Sequence, residues 1–81
     1  MNRPVLDDVV LVLGEVVDLL DVAVTGDSVL GEDIAIDSQQ MLRVLSRLEA
    51  RYRVRLAPDV SLRLGTVGDL VEALSRAAGG R

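Results

Sequence analysis

Ser38 is the side chain of this 81-residue sequence best placed to carry chemistry. Asp37 precedes it, and Gln40 lies three residues beyond Asp37, the spacing of a capping box in which two side chains satisfy the backbone N–H groups at a helix start. With Asp37 as N-cap, Ser38 is the first helical residue. Its hydroxyl then projects at the open end of the helix, where backbone N–H groups lack partners. A phosphate ester formed there would meet the positive end of the helix dipole. Serines are also common in first turns for local reasons alone, so position by itself leaves an attachment point and an ordinary polar residue as alternatives.

The missing residue types limit the chemistry further. Cys and His are absent, and all nine basic residues are Arg. That removes Ser-His and Cys-His nucleophile pairs, zinc sites built from nitrogen and sulfur ligands, Schiff-base lysines and the phosphate-loop lysine. Carboxylates, hydroxyls, one phenol and guanidinium groups remain. The expectation is a protein that is not an enzyme, with no catalytic residue and no metal site. Without Cys there is no disulfide framework, which suits a reducing interior. Asp7, Asp8, Glu15 and Asp18 interrupt the apolar run of residues 5 to 20, against a signal peptide or membrane span. A soluble, cytoplasmic monomer is expected, in contact with no membrane.

The elements that must position Ser38 follow from hydrophobic spacing. After Pro4, a stripe at Leu6, Val9, Leu13, Val16 and Leu20, widened by Val10 and Val17, predicts a first helix with one buried face. Residues 25 to 36 contain Gly26, Asp27, Ser28 and Gly31 without a sustained period. They read as a long loop pinned by Val29, Leu30, Ile34 and Ile36. The second helix carries Met41, Val44, Leu45, Leu48 and Tyr52 inward and ends near Arg53. Pro58 opens a short helical turn with Leu62 and Leu64 inward, closed by Gly65. Thr66 starts the last helix, with Asp69 completing an acidic capping box and Val67, Leu70, Val71 and Leu74 on one face. Ala77 to Gly80 read as a fraying tail. Three main helices and one short one make an all-α bundle, a single domain spanning residues 1 to 81. With 49% hydrophobic residues but no Phe or Trp, its core must be aliphatic. Leu30, Ile34, Leu45, Leu48, Leu64, Val67 and Val71 are expected to converge in it.

The stretch Glu32-Asp33-Ile34-Ala35-Ile36-Asp37-Ser38 resembles the acyl carrier protein signature. The similarity continues without a gap through Leu42, Val44, Leu45, Leu48, Tyr52 and Leu56 to Thr66-Val67-Gly68-Asp69-Leu70, covering about residues 28 to 76. The resemblance implies a four-helix carrier domain with a short third helix. In it, Ser38 would receive 4'-phosphopantetheine from coenzyme A through a separate phosphopantetheinyl transferase, with Asp37 capping the helix and aiding recognition by that enzyme. Any magnesium would belong to the transferase. The arm would hold an acyl or aminoacyl group as a thioester, supplied by a loading enzyme and passed to downstream synthase enzymes of polyketide, fatty-acid or nonribosomal-peptide type. Partner contacts would fall on Gln39, Gln40, Leu42, Arg43, Ser46 and Arg47. Starting with Met and ending soon after the last helix, the chain reads as free-standing, an excised synthase module being the alternative.

Three departures from the family pattern stand out. Gln39 occupies a position usually held by Leu or Met, and Ala35 replaces a common Gly, which matters only if the backbone there needs positive φ. Arg43, Arg47 and Arg51 recur every four residues, where many fatty-acid carriers are acidic. The edge is either solvated or ion-paired with acids of the first helix and loop, or else it is a docking surface of altered sign. Residues 1 to 42 carry nine acids and one Arg, and residues 43 to 81 carry eight Arg and four acids, so the halves differ as −8 and +4. The basic half has no base-stacking aromatic set, so nucleic acid is not an expected partner. An unmodified helical interaction module of the same fold is the rival reading.

Overall fold

A computed structural model describes residues 5–20, 22–57, 59–60 and 63–79. Pro4, Pro58, Leu62 and Gly80, to which the sequence assigns helix-start, turn, core and tail roles, lie outside these residues. Among the described residues there are three helices, α1 (Leu6–Val16), α2 (Ser38–Tyr52) and α3 (Val67–Gly79), and no strand beyond isolated bridges. None of the helices described is long and apolar enough to cross a membrane.

α1 holds the expected face, with Val9, Val12 and Leu13 buried, but it stops earlier than its apolar stripe. Val17 is extended, and the Asp18 carboxylate accepts the Leu20 N–H at 2.9 Å, a local bond that competes with continuing the helix. Leu20, expected on the buried stripe, is therefore 76% exposed. α3 departs in the opposite sense. Ala77, Ala78 and Gly79 continue the helix rather than fraying, in keeping with the high helix propensity of alanine.

α2 runs as read from the sequence, and its end is unusual. Arg53 adopts the left-handed conformation (φ 55°, ψ 47°), its N–H and that of Val54 both donating to the Glu49 carbonyl. The Glu49 carboxylate then accepts the Leu56 N–H at 2.7 Å, turning the chain back along the bundle. Beyond it, Val60 N–H donates to the Ala57 carbonyl and Arg63 N–H to that of Val60.

The core is aliphatic. Val9, Val12, Leu13 and Val17 meet Val44, Leu45, Leu48 and Tyr52 of α2 and Val67, Leu70 and Leu74 of α3, with Ile34 inserted from the loop. Of the expected core set, Ile34, Leu45, Leu48 and Val67 are buried, while Leu30, Leu64 and Val71 pack half-buried against them. Tyr52 ends in a polar clasp: its hydroxyl donates to Asp8 Oδ2 at 2.8 Å, and Arg51 Nη2 reaches Asp8 Oδ1 at 3.2 Å. Burial first, and then this hydrogen bond, raise the Tyr52 pKa above its ordinary value.

The long loop is fastened to the start of α3. Leu30 N–H donates to the Gly65 carbonyl, Val67 N–H to that of Ser28 and Gly68 N–H to that of Gly26, at 2.8–3.0 Å, around a single antiparallel bridge between Val29 and Thr66. Gly31, at φ 92°, closes a tight turn over Ile34, a conformation that favours glycine. Ala35 is not among the positive-φ residues, so its methyl group brings no backbone strain.

Candidate functional site

Asp37 is the N-cap of α2 and forms a complete capping box. Its carboxylate accepts the Gln40 N–H at 2.8 Å, and the Gln40 side chain accepts the Asp37 N–H at 3.0 Å. This reciprocal pair fixes the entry angle of the chain and leaves Ser38 exposed at the first helical position. The Ser38 hydroxyl has no hydrogen-bond partner among the described residues. Neither Ser38 N–H nor Gln39 N–H has an acceptor there either. A nucleophilic or esterified oxygen at this point faces solvent, two unsatisfied donors and the positive end of a 15-residue helix.

Beside the hydroxyl runs an open groove of about 320 Å³. Leu30, Ile36, Met41, Leu42 and Leu64 supply its apolar walls, with Gly31, Asp37 and Ser38 at its mouth. The loop wall is held by the bonds between the loop and α3, so the groove depends on three separate chain segments. The sequence reading missed Ile36 and Met41 as groove residues, since half-buried apolar positions look like core until their surroundings are known.

The other sequence-derived contacts divide into two groups. Gln39, Leu42, Arg43 and Ser46 are exposed along α2, Leu42 by 60%. Gln40 is half-buried, with its side-chain carbonyl engaged in the cap. Arg47 pairs with Glu15 of α1 at 3.1 Å, as Arg51 does with Asp8. Ion pairing with the first helix thus accounts for two of the three arginines of the basic edge. Among the described residues no cluster of potential metal ligands is found.

A hydroxyl exposed at the first position of a capped helix is accessible to esterification, and open apolar space lies beside it. A family model described as the phosphopantetheine attachment site matches residues 7–74. The chain belongs to this family. It is a carrier domain of acyl-carrier-protein type, the kind of domain to which the 4'-phosphopantetheine prosthetic group is attached. No curated protein matches the chain. The local chemistry fits the group: two unpartnered N–H donors lie where its phosphodiester would be anchored, and an apolar groove runs where the arm would begin. As a carrier domain, the chain depends on enzymes that modify it and on enzymes that use it.

Proposed function

We infer that this protein carries acyl or aminoacyl intermediates of a polyketide, fatty-acid or nonribosomal-peptide-type pathway on a phosphopantetheine arm joined to Ser38. The observation that carries the reading is the exposed Ser38 hydroxyl at the first position of a fully capped helix. When attached, the arm supplies the thiol that a chain without cysteine cannot, and on it the cargo is held as a thioester. The residues around Ser38 hold and present. Asp37 and Gln40 keep the helix mouth rigid, Ser38 and Gln39 offer N–H groups to the phosphodiester, and Leu30, Ile36 and Met41 shelter the base of the arm. Asp37 also lies where a transferase reads the site, and Gln39, Leu42, Arg43, Ser46 and Arg47 form the surface its partners meet. The protein itself catalyses nothing. Confining the cargo to a tether raises its local concentration at each enzyme visited. A four-helix carrier fold would need a further short helix between α2 and α3, where Pro58 and Leu62 lie outside the described residues.

Intact mass after incubation with coenzyme A and a promiscuous phosphopantetheinyl transferase tests the reading. The protein gains one phosphopantetheine and Ser38→Ala gains none. If the native chain stays unmodified, the rival interaction module stands, although Arg47 and Arg51 of its basic edge are paired with α1.

A further inference from the structure

An enzyme acting on a group tethered to Ser38 has to approach the surface around that hydroxyl, and this surface is electrically divided. On the loop side, Glu32 is exposed directly after Gly31 at the groove mouth. Asp33 and Asp37 follow, exposed although each accepts a backbone N–H. On the α2 side no carboxylate is free, because the single acid of the helix, Glu49, is half-buried and bonded to Leu56 N–H. Arg47 and Arg51 lean onto α1, where Glu15 and Asp8 offset them. Arg43 is exposed and forms no ion pair among the described residues. Next to it, Leu42 forms part of the groove wall and is 60% exposed.

We propose that the α2 side of this face docks partner enzymes whose active-site mouth presents an apolar socket for Leu42 flanked by carboxylates facing Arg43, an inference that rests on the carrier reading. A lone exposed leucine is ordinary on a protein surface. Here it adjoins both the attachment hydroxyl and an unpaired cation, on the one part of the molecule a partner must cover. Arg43 forms no side-chain hydrogen bond or ion pair among the described residues, whereas its companions at intervals of four do. The charge division also sets orientation: a partner turned half-way round would press its carboxylates against Glu32 and Asp37, and like charges across an interface are strongly disfavoured.

The test uses one promiscuous phosphopantetheinyl transferase in two versions, with Asp or with Arg placed at the rim of its coenzyme A cleft. Loading of the full chain, R43E, R43Q and L42A is followed by intact mass at about 20 mM and about 500 mM salt. The native chain loads with kcat/KM about fivefold higher on the Asp-rimmed version, R43Q narrows the ratio, R43E reverses it, and high salt abolishes it. L42A slows both versions. Equal or faster loading by the Arg-rimmed version, or an unchanged ratio for R43E, overturns the proposal while leaving Ser38 a loaded residue. No loading by either version or by the parent transferase removes the carrier reading and this inference with it.

Discussion

Gly68 N–H donates to the Gly26 carbonyl at 2.8 Å, joining the first turn of α3 to the loop that leads to Ser38. A Cβ on Gly68 would lie 2.9 Å from that same oxygen, a contact with backbone that cannot rotate away. Gly68→Ala should therefore push the loop off α3, and the clash outweighs the roughly 1 kcal/mol of helix propensity that alanine gains. A net loss of about 1–2 kcal/mol is expected, seen as a melting temperature lower by about 5–15 °C. Gly26→Ala is the control. Its Cβ would meet Gly68 Cα at 4.0 Å, ordinary contact, so it should melt close to the native protein.

The Tyr52 hydroxyl and Asp8 tie the end of α2 to the first turn of α1. Tyr52→Phe keeps the buried ring and removes the bond, leaving Asp8 with Arg51, so a loss of about 1 kcal/mol is expected in denaturant unfolding. The raised Tyr52 pKa fixes the sign of a second effect. The neutral phenol is the form stabilised by folding, so its contribution is complete below the ordinary value of 10.0 and is lost as pH rises through the higher folded value. Ultraviolet titration of the single tyrosine should give a midpoint above the ordinary value, and stability should fall in that alkaline range less in Tyr52→Phe than in the native chain.

Local signatures were legible and distant contacts were not. Both capping boxes, Asp37 with Gln40 and Thr66 with Asp69, depend on residues three apart, so spacing alone placed two helix starts and Ser38 with them. The end of α1 escaped because the apolar stripe runs on to Leu20, whereas the helix is ended by the side chain of Asp18. The approach of Gly26 to Gly68 joins residues far apart in the chain, and a glycine in isolation shows only that something could come near. The arginine edge was legible as a pattern. Which of its members would be paired depended on how α1 lies against α2, and no periodicity encodes that.

At the start of α3, Asp69 Oδ2 accepts the N–H groups of Thr66 and Gly65, both at 2.9 Å, while Asp69 N–H donates to Thr66 Oγ1. The Thr66 bond first, and then that from Gly65, hold the Asp69 carboxyl below its ordinary value of 3.8. A depressed folded pKa means that the ionised group supports the fold above the ordinary value and that this support is lost as pH falls through the folded one. Acidification from about pH 5 to about pH 3 should therefore lower the melting temperature of the native protein more than that of Asp69→Asn. An equal acid sensitivity of the two proteins would show that the cap carries none of it.

Arg53 ends α2 in the left-handed region, where a β-carbon crowds the following carbonyl at a cost of about 1 kcal/mol. Its side chain forms no hydrogen bond or ion pair among the described residues, so removing it sacrifices no such contact. Glycine adopts this conformation without strain, although it also gives the unfolded chain more freedom, which offsets part of the gain. Arg53→Gly should accordingly raise stability by up to about 0.5–1 kcal/mol, while Arg53→Val, β-branched at the same φ, should lower it. The two substitutions remove the same charge, so opposite shifts in their thermal midpoints assign the effect to the backbone. If both shift the same way, the guanidinium itself matters, and the strain at this cap is not what limits the helix end.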